Sequence, residues 1–321
     1  MAAVRYGHHT CELDAGESVL DGLLRRGLPV AHSCKAGSCG SCLLRAVEGQ
    51  IPARAQAGMK DSWRARGYFL ACVCHPDVDL TAEAVGSDAR VAAVIAALEP
   101  LARDVLRVRL TCEAPFDFHP GQYVTLVLDR GLARSYSIAS LPDDGEIELH
   151  VRRVPNGRMS GWLYEEAQPG ARVYLQGPSG ECFYVPGRED QPMLFIGTGT
   201  GLAPLYGIAK DALRTGHRGP LYLCHGAARP AGLYLKNELA AMAVAHGNFV
   251  YAPSVLEADE PGSFEVGPIG RIVATRFPDL DGWRGFVCGD PALVQSLKKQ
   301  LFLSGIAMRD IYADAFLPSA A

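Results

Sequence analysis

The sequence has no apolar run able to cross a membrane. A spanning helix needs about 18 or more apolar residues, and the longest candidate, Val91 to Ala102, is interrupted by Glu99 and Pro100. It also has no block of lysines and arginines, and its net charge is only −4. Nucleic-acid and anionic-membrane binders depend on a concentrated basic surface, so neither partner is expected. The N-terminal stretch MAAVRYGHHTCELD contains no apolar core followed by a small-residue cleavage site; a secretory signal is not expected, and a cytoplasmic location is the default. Internal repeats and low-complexity tracts are missing. With 48% hydrophobic and 21% charged residues the composition is that of a globular chain, and 321 residues suggest two or three domains.

Three segments differ in pattern. In residues 1–85, alternating apolar positions surround a Gly/Ser-rich loop from Ser33 to Ser41. The polar stretch EAVGSDAR (Glu83 to Arg90) breaks that pattern and reads as a linker. Over 91–187 come short β-like runs, Val105 to Cys112, Tyr123 to Leu128, Arg134 to Ile138 and Glu146 to Val151. The turn signals HPGQ, LPDDG and VPNG separate them, which predicts an antiparallel barrel. Over 188–321, apolar strands alternate with amphipathic segments: MLFIG precedes LAPLYGIAKDALRTG, LYLCHG precedes LYLKNELAAMAVAHG, NFVYA precedes 269–276, and FVCGD precedes PALVQSLKKQLFLSG. That alternation predicts a parallel sheet with helices on both faces. The fold class expected is therefore multidomain α/β.

Ten cysteines are many for a reducing compartment, and their spacing decides their use. Cys34, Cys39 and Cys42 form C-x4-C-x2-C, with Cys72 further on. This is the plant-type spacing for a [2Fe–2S] cluster. Zinc sites usually take their ligands as two close pairs in sequence, which three cysteines in nine residues do not match. Gly37 and Gly40 permit positive φ, so that backbone N–H groups can face the sulfurs. Cys74 competes with Cys72, because a strand through LACVCHP would point both to one face. Cys11, Cys112, Cys182 and Cys224 sit in apolar contexts and read as core thiols.

Arg134, Ser135, Tyr136 and Ser137 lie in RSYSIAS, after the turn HPGQY. On a strand Arg134 and Tyr136 share one face and Ser137 takes the other. A forked guanidinium suits a pyrophosphate, a tyrosine can cover an isoalloxazine, and a serine hydroxyl can hydrogen-bond flavin N5. An ordinary amphipathic barrel strand could carry the same residues. The segments that follow favour the flavin: HVRRV supplies His150 and Val151, and in NGRMSGWL Gly157 precedes a helix start at Met159 and Ser160 that suits a second phosphate. GPSGECF comes next.

GTGTGLAP places Gly197, Thr198, Gly199, Thr200 and Gly201 between a strand and a helix, where a dinucleotide pyrophosphate can bind. It is not the G-x-G-x-x-G fingerprint, because Leu202 occupies the third glycine position. After the second strand comes AARPAG, with Arg229 and no acidic residue to read a free 2′-hydroxyl. Arg229 suits a 2′-phosphate or is merely solvated, so NADPH stays open beside NADH.

In this order the segments resemble the ferredoxin–NADP reductase superfamily with an N-terminal plant-type ferredoxin. The whole chain resembles the electron-transfer reductases of bacterial aromatic-ring oxygenases. HPGQYVTL, LPDDGEIELHVRRVPNGR, GWRGFVCGDPALV and the tail IYADAF are similar to the reductase of naphthalene-dioxygenase-type systems. The resemblance implies a β-grasp ferredoxin domain (1–85), an antiparallel FAD β-barrel (91–187) and a parallel-sheet NAD(P)H domain (188–321). It makes Cys72 the fourth ligand, because such ferredoxins end in a Leu-x-Cys strand, and it sets Cys288 and Gly289 beside the nicotinamide. Phe316 would lie near the flavin or the nicotinamide, or would instead anchor the C-terminus in the core.

The implied relay runs from NADH by hydride transfer to FAD, with Ser137 and Cys288 nearby, and then by single electrons to the cluster. An exposed cluster loop would present each electron to a Rieske-type ferredoxin or the terminal oxygenase. Reductases of di-iron monooxygenases and of deoxysugar pathways share this architecture. From a different class, an electron carrier or redox sensor with an inactive flavin half is the competing reading. A monomer is the default expectation.

Overall fold

The computed structural model describes residues 2–59, 61–86, 89–128 and 132–317. Residues 87 and 88 of the expected linker, together with Met1 and residues 318–321, lie outside the described residues. Among those described, the strands form three sheets. No described helix is long and apolar enough to cross a membrane.

The first sheet comprises β1 (Ala3–Tyr6), β2 (His9–Glu12), β3 (Leu43–Glu48), β4 (Tyr68–Leu70) and β5 (Leu80–Ala84), in the order β2-β1-β5-β3-β4. β1 and β5 are parallel, and the remaining pairs antiparallel. Helix α1 (Val19–Arg25) buries Val19, Leu20 and Leu23 against this sheet. Its start is set by Ser18, whose side chain accepts from the Asp21 backbone N–H. A short α2 (Asp61–Ala65) precedes β4. The mixed sheet gripping a single helix is the β-grasp arrangement.

The second unit is an antiparallel six-stranded sheet of β6 (Val91–Ala102), β7 (Val105–Cys112), β8 (Tyr123–Val127), β9 (Ala133–Ser137), β10 (Ile147–Arg152) and β11 (Arg172–Ser179), ordered β10-β7-β6-β11-β8-β9. An Ile138–Leu149 bridge joins the two edges and closes a barrel. Helix α3 (Arg158–Glu165) buries Met159 and Leu163 in the barrel core. The sequence pattern does not reveal β6. Register shifts at Ile95/Ala97 and at Pro100/Ala102 break its alternation, as bulges do.

The third sheet is parallel throughout: β12 (Met193–Thr198), β13 (Leu221–Ala227), β14 (Phe249–Val255), β15 (Glu265–Val266), β16 (Arg284–Gly289) and β17 (Ile311–Ala315), ordered β15-β14-β13-β12-β16-β17. Its helices are α4 (Leu202–Arg214), α5 (Lys236–Ala245), α6 (Ile269–Arg276) and α7 (Pro291–Leu303). The rings of Phe195, Phe286 and Tyr312 stack in a row across β12, β16 and β17, with centroids 5.0 Å apart. Strand order reverses between β13 and β16, with β12 between them. A crevice therefore opens at the C-terminal ends of β12 and β16, where open α/β sheets bind ligands.

Candidate functional site

The four ligand candidates converge as two pairs. Cys34 and Cys39 influence each other's ionisation most strongly, and so do Cys42 and Cys72. Two thiols on each side match a dinuclear centre with two protein ligands per iron. The N–H groups of Ala36 and Cys39 donate to Cys34 Sγ at 3.3 and 3.4 Å, and Gly37 N–H is aimed at Cys72. The neighbouring Cys39 thiol first, and the N–H groups of Ala36, Cys39 and Ser38 after it, outweigh burial and hold the Cys34 thiol below the usual range. Gly37 and Gly40 both have φ of +75°, the left-handed conformation that lets the loop turn its amides inward. The donor set fits a [2Fe–2S] cluster.

Cys72 and Cys74 do not share a strand face as the alternation suggested. β4 ends at Leu70, and Cys72 lies in a 3-10 turn over Ala71–Val73. That turn swings Cys72 towards Cys42 and sends Cys74 into the core of the first unit, where it is fully buried and desolvation raises its thiol to about 12. The loop is also less open than expected. Ala36 and Ser38 are exposed, but Ser41 and Cys42 are buried, and the Ser38 to Gly40 carbonyls rest on the barrel.

Strand β9 carries the flavin candidates. Arg134 donates to His32 O at 3.3 Å, and Ser135 to Cys39 O at 3.4 Å. Ser135 therefore reaches the cluster loop, and Arg134 the residue that leads into it. Burial, and after it the nearby charge of Arg158, hold Arg134 below the usual guanidinium range. Arg158 opens α3 close enough for its charge to act on Arg134, and neither has a carboxylate partner among the described residues. Such a site fits a pyrophosphate. Gly157 is the α3 N-cap, and a Cβ there would lie 2.6 Å from Ser160 Oγ. Ser160 uses its hydroxyl to accept from Val154 N–H at 3.1 Å. Val151 and Met159 have their side chains in the barrel core, so only their backbone can serve a cofactor.

Ser137, at the end of β9, donates to Asp314 Oδ2 at 2.9 Å. Asp314 lies on β17 in register with Cys288 at the end of β16. Burial raises the Asp314 carboxyl, and the Ser137 bond counters only part of that. The Cys288 thiol is pushed far up, first by burial and then by its bond to Cys182 Sγ, 3.7 Å away, so it stays protonated. Phe316 is half-buried, and its N–H donates to Gly289 O at 2.8 Å, which puts it at the crevice rim and not in a core. Asp314 was not singled out from the sequence. Its importance depends on a strand register between residues far apart in the chain, and the only local signal was an acidic residue in an otherwise apolar tail.

The glycine turn closes the crevice floor. A Cβ on Gly201 would come 2.2 Å from Cys288 O, and one on Gly197 would come 2.9 Å from Gly201 O, both backbone atoms that cannot give way, so both must be glycine for this turn to form against β16. Gly199 has φ of +53° and Gly289 of +133°. Thr198 and Thr200 are half-buried beside them. Arg229, just past β13, is exposed and paired with Glu257 at 3.0 Å and Asp259 at 3.5 Å, two carboxylates contributed by the segment after β14.

His150 is not free to contact a flavin through its side chain. Its Nε2 bonds Glu148 Oε1 at 2.8 Å and its Nδ1 bonds the Tyr234 hydroxyl at 3.1 Å, across the junction of barrel and parallel sheet. Arg107 completes the junction, bonding Glu148 and Glu99, each at 3.1 Å, and reaching Glu238 on α5 at 3.6 Å. Burial alone would raise the Glu148 carboxyl. The His150 bond and the Arg107 charge outweigh it and hold the group below the usual range, while burial keeps His150 neutral. Stability from Glu148 is therefore fully present above its ordinary value of 4.5 and is lost as pH falls below it. Replacing Arg107 with alanine leaves the Glu148 charge unpaired in a largely buried site, and is expected to cost about 3 kcal/mol in denaturant unfolding at neutral pH. That loss should shrink in acid.

Comparisons with known proteins follow the same division. The 2Fe-2S iron-sulfur cluster binding domain matches residues 5–77, the oxidoreductase FAD-binding domain 92–184, and the oxidoreductase NAD-binding domain 195–299. The chain is 33% identical over 311 residues to the ferredoxin–NAD(P)+ reductase component of the naphthalene 1,2-dioxygenase system of Pseudomonas putida, covering 95% of this chain and 94% of that one. It is 34% identical over 332 residues to the reductase subunit of an aromatic O-demethylase of Amycolatopsis, covering 99% of each. The crystal structure of an Amycolatopsis cytochrome P450 reductase superposes with a TM-score of 0.71 at 33% identity over 99% of both chains.

Proposed function

Because this chain belongs to the family of FAD- and [2Fe–2S]-dependent reductase components of bacterial aromatic-ring oxygenase systems, we propose that its electron acceptor is a Rieske-type ferredoxin or the Rieske oxygenase itself. It is an NADH-dependent oxidoreductase that passes electrons through FAD and the cluster to an oxygenase component. One observation carries the site assignment. Within the five residues of β9, Ser135 contacts the cluster loop, Arg134 the residue just before it, and Ser137 the crevice at the end of β16. A single short strand thus joins the entry and the exit of the relay.

In the arrangement we propose, Gly197 to Gly201 receive the dinucleotide pyrophosphate, and Cys288, Gly289 and Phe316 bound the nicotinamide. Arg134, Arg158 and the α3 N-terminus hold the flavin pyrophosphate. Tyr136 would cover the ring, and Ser137, whose one hydroxyl proton goes to Asp314, would face N5 with its oxygen as an acceptor. When bound, the flavin supplies the conversion of a hydride's electron pair into single electrons. Cys34, Cys39, Cys42 and Cys72 hold the cluster that receives them.

The Rieske assignment is tested by adding purified Rieske ferredoxin, a cytochrome P450 or a di-iron hydroxylase, each separately, to the protein and NADH. Faster reduction of the ferredoxin is expected, and a preference for either oxygenase of another class would overturn the assignment. For the nucleotide, Glu257 and Asp259 occupy Arg229 and would repel a 2′-phosphate, which favours NADH. The Glu257→Gln, Asp259→Asn double variant is expected to raise kcat/KM for NADPH by about five- to tenfold, the scale of exposed charge contacts, with the NADH value nearly unchanged.

A further inference from the structure

Gln176 and Thr125 are only 4% and 1% exposed although both are polar, which calls for partners. Each finds a partner for its donor group in the cluster loop, while Gln176 Oε1 stays without one. Gln176 Nε2 donates to Gly40 O at 2.6 Å and Thr125 Oγ1 to Cys39 O at 3.0 Å. Ser135 Oγ donates to the same Cys39 carbonyl, and the Tyr123 hydroxyl to Ser38 O at 2.7 Å. Gln176 is in register with Thr125, and Thr125 with Ser135, so three of the donors form one row across β11, β8 and β9.

We propose that this row, with Tyr123, is a clamp that positions the cluster for electron transfer from the flavin. The proposal rests on the relay argued above and adds the residues that set its internal step. All four donors are neutral and all acceptors are main-chain carbonyls. The clamp therefore reads the fold of the loop and not its side chains, and salt does not screen it as it would an ion pair. The two glycines with positive φ give the loop the shape that turns three successive carbonyls, from Ser38 to Gly40, towards the barrel. Tyr123, Thr125 and Gln176 are positioning residues, because they act on the cluster through its loop.

The test uses the full-length holoprotein and the triple variant Tyr123→Phe, Thr125→Val, Gln176→Met, which removes three donors at nearly constant volume. Anaerobic stopped-flow follows flavin bleaching and cluster reduction separately. Each NADH yields NAD+, a proton and two electrons, which the cluster passes singly to two equivalents of oxidised cytochrome c. We expect flavin bleaching at the wild-type rate and cluster reduction slowed by about a hundredfold, given roughly fivefold in the docked fraction for each of the three lost bonds. Amide hydrogen exchange across residues 34–42 should quicken in the same variant without any NADH. Thr125→Val alone should show both effects in smaller measure, and Thr125→Ser, which keeps the donor, should restore them. Cluster reduction at the wild-type rate in the triple variant overturns the clamp. Failure of NADH to bleach the flavin in the unmutated protein would instead overturn the relay beneath it.

Discussion

The Cys42→Ser variant is expected to lose its cluster and, with it, NADH-dependent cytochrome c reduction by more than about a hundredfold, since even the outer partners of a metal ligand are worth about 10- to 100-fold. NADH should still bleach its flavin. Cys42 is 4% exposed and paired with Cys72, so no neighbouring thiol can take its place. Cys72→Ser should behave alike. Cys74→Ala is the control that separates ligand from core: Cys74 is fully buried and only burial acts on its thiol, and its loss should leave iron and acid-labile sulfide content unchanged. A cluster lost from Cys74→Ala but kept in Cys72→Ala would reverse the assignment of the fourth ligand.

The second large effect is expected at the junction of β9 and β17. Ser137→Ala should slow the bleaching of bound flavin by NADH by about a hundredfold, the scale for losing one positioned hydrogen-bonding group at a reacting atom, with FAD content unchanged. Asp314 acts through Ser137 as a positioning residue. Asp314→Ala should therefore slow the same step less, while Asp314→Asn, which retains an acceptor oxygen, should keep most of it. The raised carboxyl supplies a further signature. Its folded pKa lies above the unfolded value, so the ionised group costs stability at neutral pH, and that cost disappears below its ordinary value of 3.8. Asp314→Asn should thus be at least as stable as the parent near neutrality. In the parent, flavin reduction should slow as pH falls through the raised carboxyl pKa, and Asp314→Asn should lack that limb.

Local chemistry was legible in the sequence. The cluster cysteines and the glycine turn at 197–201 lie within short stretches whose spacing determines their geometry, and the alternation of strand and helix after residue 188 announces the parallel sheet. What depends on long-range packing was hidden. Asp314 matters only because β17 pairs in register with β16. The cluster loop looked open, because its cover comes from barrel strands far along the chain. His150 looked like a cofactor contact until Glu148 and Tyr234 claimed both its nitrogens. β6 was obscured for a local reason, since two bulges shift its inward-facing positions out of a period of two.

The central claim is that one chain carries electrons from NADH through flavin to the cluster, and an anaerobic titration with NADH tests it most directly. Flavin bleaching is followed optically and the reduced cluster by electron paramagnetic resonance. The account predicts that NADH bleaches a bound flavin and that the signal of a spin-coupled reduced [2Fe–2S] cluster follows, with NADPH much less effective. A flavin that bleaches while the cluster stays oxidised, or a protein that binds no flavin, would contradict it.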